Sequence, residues 1–161
     1  VMVDRRCAVE DVAGRHGITC EVVERSDFTE SFDRDAFTKD VIATLDGHEI
    51  DLVAMAGWGT ILGPAAFDRF GDRIVNTHPA LLPAFAGAHG VRDALRYGVK
   101  VTGCTVHVAT PKVDDGPILA QEAVAVLPDD DEATLHERIK EVERRLYTQT
   151  IAEILERGSV T

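Results

Sequence analysis

Cysteine is scarce in this sequence. Its 161 residues include three cysteines, Cys7, Cys20 and Cys104, which are odd in number, widely spaced and free of any Cys-x-x-Cys pair. Disulfide frameworks and zinc-thiolate sites need paired, suitably spaced cysteines. The sequence therefore predicts neither, and we expect three buried thiols in a reducing cytoplasm.

Basic residues and long apolar runs are also few. Lysine and arginine total 17 against 28 aspartates and glutamates, a formal net charge of −11. A nucleic-acid partner would need a basic surface, although a local basic pocket for an anionic metabolite stays compatible with this balance. No apolar run approaches the roughly 18 residues of a membrane span, and residues 1–6 lack the apolar core of a signal peptide. We expect a soluble cytoplasmic protein with no nucleic-acid or membrane partner.

The apolar residues that are present suffice for one core. They make up 45% of the chain, and no repeat, linker or low-complexity segment interrupts it. A chain of this length buries one sizeable core. We therefore expect a single domain over residues 1–161.

Apolar periodicity predicts an alternation of strands and helices. Strands are expected at residues 1–3, 18–23, 50–56, 101–109 and 118–126, with one more that ends near Ile74 and Val75 and carries Asn76. Helices are expected at about residues 7–15, 64–70 and 91–97. Another is expected around Phe37, Val41 and Leu45, with Asp33 or Ser31 as its N-cap. A long last helix is expected after Asp129, Asp130 or Asp131, with one apolar face formed by Leu135, Ile139, Val142 and Leu146. This order predicts an α/β fold, doubly wound, with a mostly parallel sheet, flanking helices and an antiparallel addition where two late strands meet.

One stretch, Val75–Pro83, places polar groups at the end of a strand. Asn76 and His78 project the same way at the two-residue strand period, and Pro79 stops further pairing. In open parallel sheets this edge is where ligands bind. An imidazole serves as acid, base or oxyanion partner, and an asparagine amide donates to an oxyanion. From these residues alone, a catalytic site and a histidine merely held in a loop are equally good interpretations.

Several spaced motifs resemble the folate-dependent formyltransferases. Residues 76–83 look like the family signature Asn-x-His-Pro-(Ser/Ala)-Leu-Leu-Pro, and the resemblance continues through residues 84–90, 101–107 and 113–121. It implies a Rossmann-like formyltransferase fold. It also implies transfer of a formyl group from 10-formyltetrahydrofolate, as co-substrate, to the amine of phosphoribosylglycinamide in de novo purine biosynthesis. No metal is implied, and an oligomer is compatible with it.

The resemblance assigns the chemistry to three side chains. Asn76 would bind the formyl oxygen, His78 would stabilise the oxyanion or donate a proton, and Asp114 would favour the protonated form of His78 and help to order a water. Taken alone, the Asp-Asp-Gly-Pro sequence at Asp114 is more simply a turn. The accompanying motifs favour catalysis.

The resemblance also implies folate contacts, largely through backbone groups. The positions concerned are Gly59, Thr60, Ile61, Leu62, Thr110 and Val113. Family members commonly carry Met-Arg where this chain has Gly59-Thr60, so the resemblance does not carry one cationic folate contact over to this chain. Arg34 matches a family arginine near the folate and equally suits a solvated charge at a helix start.

Three further residues match family positions near the substrates. Glu143 matches a glutamate that binds the ribose hydroxyls of the glycinamide substrate, and an exposed helix carboxylate is the alternative for Glu143. Lys140, on the same predicted helix, is also expected to bind substrate. His89 and His107 match positions near the site, although a histidine on a loop or strand is more often merely hydrogen-bonded.

Nothing in the sequence matches the Gly-Ser-Gly-Ser-Asn type loop with which family members bind the substrate phosphate at a helix N-terminus. We therefore expect the domain to be N-terminally incomplete by about one βα unit. Two alternatives stay open. Formyltetrahydrofolate deformylase, which transfers the formyl group to water, usually has a second histidine where this chain has Pro79. An inactive folate-binding fragment is the other.

Overall fold

The computed structural model describes residues 1–161. Its contacts divide the chain into two compact units, one formed by Val1–Asp51 with Gly57–Gly71 and the other by Leu52–Ala56 with Asp72–Thr161. None of its helices combines the length and the apolar character needed to cross a membrane. The single domain predicted for residues 1–161 stays a prediction.

The first unit contains two short strands and three helices. These are β1 (Met2–Val3), α1 (Val9–Arg15), β2 (Glu21–Val22), α2 (Arg34–Gly47) and α3 (Pro64–Phe70). β1 and β2 pair in parallel. Helix α2 begins where the sequence predicts, because the Asp33 carboxylate accepts the Ala36 N–H at 2.9 Å. Phe37 and Val41, one turn apart on the predicted stripe, are both buried.

The second unit contains the larger sheet. Its elements are β3 (Val53–Met55), β4 (Ile74–His78, after a 3₁₀ turn at Gly71–Arg73), α4 (Gly90–Tyr97), β5 (Val101–Val108), β6 (Ile118–Ala125) and α5 (Glu132–Arg157). The strand order is β3-β4-β5-β6. β3 and β4 are parallel, and the two later pairs are antiparallel. The α/β class with flanking helices is confirmed. The antiparallel part begins at β5, one strand earlier than predicted, because apolar periodicity identifies a strand but not its direction.

Helix α5 covers one face of this sheet. Tyr147 donates its hydroxyl proton to the carbonyl oxygens of Val75 at 2.9 Å and Met55 at 3.0 Å. Val75 packs with Tyr147 and Ile154 in the core. Since side chains alternate along a strand, Asn76 and His78 face away from α5. Strand β4 therefore presents Asn76 and His78 on the face that α5 does not cover.

Some sequence predictions need correction. The strands predicted at 18–23 and 50–56 are shorter, at Glu21–Val22 and Val53–Met55, because flanking residues share the apolar pattern without pairing. Of the cysteines, only Cys104 is buried, and Cys7 is exposed. Cys7 lies in the turn before α1, where no strand or helix face directs it into the core.

Thr102 on β5 gives a prediction for stability. Its side chain is 2% exposed, and its hydroxyl has no hydrogen-bond partner. An unsatisfied buried hydroxyl costs about 1–3 kcal/mol. Thr102→Val replaces it by a methyl group of similar size, so we expect the free energy of unfolding in urea to rise by about 1 kcal/mol. The control is Thr150→Val, which removes a hydroxyl bonded to the Leu146 carbonyl at 2.8 Å and should lose stability. Equal losses in both variants would contradict the prediction.

Candidate active site

His78 ends β4 with both ring nitrogens engaged. The residue is 4% exposed. Its Nδ1 lies 3.2 Å from the Asp114 carboxylate, and its Nε2 lies 2.8 Å from the Phe85 carbonyl oxygen. A carbonyl and a carboxylate are both hydrogen-bond acceptors, so a ring nitrogen that faces either of them is placed to donate a proton. The site therefore holds the imidazole between two acceptors, one at each ring nitrogen.

Asp114 lies in the connection between β5 and β6. Its side chain is 6% exposed, and its carboxylate accepts the Gly87 N–H at 2.7 Å. The other oxygen lies 3.5 Å from Nε2 of His107. The contacts with His107 and Gly87 and the charge of His78 hold the pKa of Asp114 below its usual value, although burial opposes this. Asp114 is thus an ionised partner for His78, and its φ of 55° also makes it a turn residue.

Gly116 lets the connection that carries Asp114 lie directly against β5, because glycine has no side chain. A Cβ there would lie 1.8 Å from the Val108 carbonyl oxygen. On the same strand, the Val108 N–H donates to the Pro117 carbonyl at 2.9 Å. No side chain fits between these two backbones. Their close approach therefore fixes the position of Asp114 relative to β5.

Asn76 lies opposite His107 in the pairing of β4 with β5. Its amide nitrogen is 3.4 Å from Nε2 of His107, while the His107 Nδ1 donates to the Val108 carbonyl at 3.0 Å. This long contact is the one polar partner of the Asn76 amide, and the residue is half-buried. An N–H of Asn76 is therefore available to an incoming carbonyl oxygen next to His78.

Glu143 on α5 is half-buried rather than exposed. Its carboxylate has no hydrogen-bond partner in the structure, and burial raises its pKa. Burial, with a smaller contribution from the charge of Glu143, also raises the pKa of Cys104 to about 11. A half-buried carboxylate without a partner suits a ligand that brings hydroxyl donors. Lys140, by contrast, pairs with Glu137 at the surface.

The remaining predicted contacts lie in both units. In the second unit, the Thr110 hydroxyl donates to the Lys112 carbonyl at 2.8 Å, and Val113 is exposed. In the first unit, Arg34 is the first residue of α2 and is exposed, as are Gly59 and Ile61, while Leu62 is half-buried.

The Thr60 side chain serves the structure of the first unit. It is 3% exposed, its hydroxyl donates to Asp4 at 2.8 Å, and its carbonyl accepts the indole N–H of Trp58 at 2.8 Å. The Thr60 side chain is therefore already engaged, and its backbone groups are what it can offer a ligand.

The sequence did not reveal two backbone partners at the site. These are the Phe85 carbonyl at His78 and the Gly87 N–H at Asp114. Backbone groups are present at every residue, so no side-chain pattern identifies them. The sequence placed His107 near the site without a role, and the structure places its Nε2 3.5 Å from the Asp114 carboxylate. His89 is exposed and makes no side-chain hydrogen bond. No group of three or more histidine, cysteine, aspartate or glutamate side chains is arranged to hold a metal.

Comparison with known proteins assigns the family. The chain matches the formyl transferase family over residues 3–151. It belongs to that family. This formyl transferase is 50% identical over 158 residues to phosphoribosylglycinamide formyltransferase of Mycobacterium tuberculosis, covering 98% of this chain and 72% of that protein.

Solved structures of formyltransferases and of a deformylase resemble this chain. The phosphoribosylglycinamide formyltransferase of Streptococcus pneumoniae has a TM-score of 0.88 and 35% identity, over 96% of this chain and 85% of that one. A formyltetrahydrofolate deformylase of Pseudomonas syringae has a TM-score of 0.83 and 25% identity, over 92% of this chain and 48% of that one. The higher identity to the transferases supports transfer over hydrolysis.

Proposed function

We propose that this formyl transferase moves the formyl group of 10-formyltetrahydrofolate to the amine of phosphoribosylglycinamide. The observation that carries the proposal is the position of His78, held between the Asp114 carboxylate and the Phe85 carbonyl, beside the available amide of Asn76. Formyl transfer needs both an oxyanion donor and a proton for the leaving nitrogen.

The reaction has two steps. The neutral amine attacks the formyl carbon, a C–N bond forms, and the carbonyl electrons move to oxygen. Asn76 donates an N–H hydrogen bond to this oxyanion, and His78 Nε2 donates another after exchanging the Phe85 carbonyl for the substrate. The oxyanion then collapses, the bond to folate N10 breaks, and His78 Nε2 gives its proton to N10. The proton released by the amine returns to His78 through water, so overall one proton leaves the amine and one reaches N10, and the reaction needs no oxidant or reductant.

Asp114 acts on His78 rather than on the substrate. Its ionised carboxylate holds Nδ1 at 3.2 Å, which fixes the ring orientation and stabilises its charged form. Nε2 is then the nitrogen that faces the reaction. With its other contacts to Gly87 and His107, the same carboxylate helps to order a water that takes up the proton of the attacking amine.

We assign the remaining predicted residues to binding. Glu143 accepts hydrogen bonds from the ribose hydroxyls of phosphoribosylglycinamide, and Lys140 adds positive charge one turn away. Folate contacts in the second unit come from Thr110 and Val113. Those in the first unit come from Arg34 and from backbone groups of Gly59, Thr60, Ile61 and Leu62.

The experiment is a turnover assay that follows a labelled formyl group from 10-formyltetrahydrofolate. We expect label in formylated phosphoribosylglycinamide, and little loss of donor when the amine substrate is withheld. Release as formate at the same rate with and without the amine would identify a deformylase. Folate binding without either product would identify an inactive fragment.

Glu143→Gln tests the assignment of the ribose contact. A hydrogen bond to a charged acceptor contributes about 1.5–3 kcal/mol, so we expect the KM for phosphoribosylglycinamide to rise about tenfold with little change in kcat. The matched control is Glu141→Gln, an exposed glutamate on the same helix. If both variants kept the wild-type KM, Glu143 would be removed from the binding site.

A further inference from the structure

The segment after His78, residues 79–89, carries the Phe85 carbonyl that His78 binds. We call it the His78 loop. Phe85 has a φ of 55°, an unusual conformation for a residue with a side chain. Polar contacts from neighbouring elements hold the loop where this carbonyl meets Nε2. Near the end of the loop, the Gly87 N–H donates to Asp114 at 2.7 Å, and a second set of contacts lies at its start.

Thr105 on β5 binds the start of the His78 loop. Its hydroxyl donates to the Ala80 carbonyl at 2.6 Å and accepts the Leu82 N–H at 3.0 Å. Thr105 is 0% exposed, Ala80 is 0% exposed and Leu82 is 5% exposed. One hydroxyl thus satisfies two buried backbone groups, which need a partner because water does not reach them. Without it, the loop would have no polar attachment at Ala80.

The position of Thr105 in the sheet links this contact to the site. Thr105 lies directly opposite His78 on β4 and opposite Gln121 on β6. The Gln121 amide nitrogen donates to the Thr105 hydroxyl at 2.9 Å and to the Leu82 carbonyl at 2.9 Å. His78, Thr105 and Gln121 therefore form one row across three strands, on the face that carries the site.

We propose that Thr105 is a positioning residue for His78. Its hydroxyl fixes the first turn of the His78 loop, and through that loop it fixes the Phe85 carbonyl that holds Nε2. Gln121 supports the same turn from the far side. This inference rests on the proposed role of His78 in formyl transfer, and Thr105 itself touches neither reacting group.

The test compares Thr105→Val, which removes the hydroxyl at nearly constant shape, with Thr105→Ser, which keeps it. A small misplacement of a catalytic group costs up to about a hundredfold in rate, so we expect Thr105→Val to lower kcat by about ten- to a hundredfold. KM values should stay within about threefold, since substrate contacts are unchanged. Thr105→Ser should recover most of the rate.

The matched control is Thr102→Val, which removes an equally buried hydroxyl from the same strand, one that has no partner. It should keep the wild-type kcat. A spectroscopic readout separates positioning from general stability: the ¹⁵N signal of His78 Nε2 should move in Thr105→Val and stay in place in Thr102→Val. If Thr105→Val fails to fold, Gln121→Leu is measured instead, and we expect a smaller loss in kcat and the same direction of signal change.

Three results would overturn the inference. One is a folded Thr105→Val with wild-type kcat and an unchanged His78 signal. Another is Thr105→Ser as impaired as Thr105→Val, which would assign the effect to the lost methyl packing. The third applies if Thr105→Val does not fold: a Gln121→Leu variant with wild-type kcat and an unchanged ¹⁵N signal of His78. His78→Ala in the same assay separates the two proposals: activity in that variant defeats the proposed function, whereas inactivity beside an unaffected Thr105→Val defeats only the positioning role.

Discussion

His78→Ala is expected to lower kcat by about a hundredfold or more, the usual contribution of a positioned acid in proton transfer. The variant loses the group that protonates the leaving nitrogen and one donor to the oxyanion. Asp114→Asn should lower kcat by a similar factor. It keeps the shape of the side chain but removes the negative charge that stabilises the protonated ring at 3.2 Å.

The measurement is steady-state turnover together with thermal unfolding, so that loss of activity is separated from loss of fold. Asp115→Asn is the matched control for Asp114→Asn, because Asp115 is the adjacent residue, is exposed and pairs with Lys112 at 2.8 Å. It should retain wild-type kcat. A folded His78→Ala or Asp114→Asn with wild-type turnover would remove that residue from the mechanism.

Gly116→Ala is expected to have the second largest effect. The new Cβ would lie 1.8 Å from the Val108 oxygen and 2.9 Å from its carbon. Both atoms belong to the backbone of β5, so neither can rotate away as a side-chain tip could. Forcing atoms into a packed region costs about 1–3 kcal/mol and occasionally more, and we place this variant at about 3 kcal/mol or above. The displaced connection should also carry Asp114 away from His78 and lower kcat.

Urea unfolding and turnover measure the two parts of this effect. Gly47→Ala is the control, because a Cβ at Gly47 meets no atom within 4 Å. Since alanine favours a helix over glycine by about 1 kcal/mol, this variant should be as stable as the wild type or slightly more so. If Gly116→Ala matched Gly47→Ala in stability and activity, the close approach would not determine the position of Asp114.

The helices and the face of β4 were predictable because local rules govern them. The Asp33 cap and the stripe through Phe37 and Val41 depend on residues within a few positions of one another. Asn76 and His78 share a face through the two-residue period alone. Local rules of this kind do not depend on the rest of the fold.

The features that the sequence left open are non-local. The antiparallel direction of β5 depends on the path of the chain between His78 and Val101 rather than on any strand residue. The Phe85 carbonyl meets His78 across a loop whose first turn, at Ala80, is bound by Thr105, far along the chain. The sequence around Asp114 alone indicated a turn. Only the resemblance to the formyltransferase family indicated that Asp114 acts with His78. Contacts between distant backbone groups leave no periodic signal.

A crystal structure of the protein with a folate analogue that carries a tetrahedral centre at the formyl position tests the central claim most directly. We expect the oxyanion mimic to accept hydrogen bonds from Asn76 Nδ2 and His78 Nε2. His78 should release the Phe85 carbonyl while Nδ1 keeps its contact with Asp114. An oxyanion mimic that contacts neither residue, with His78 still bound to Phe85, would contradict the assignment of formyl transfer to these side chains.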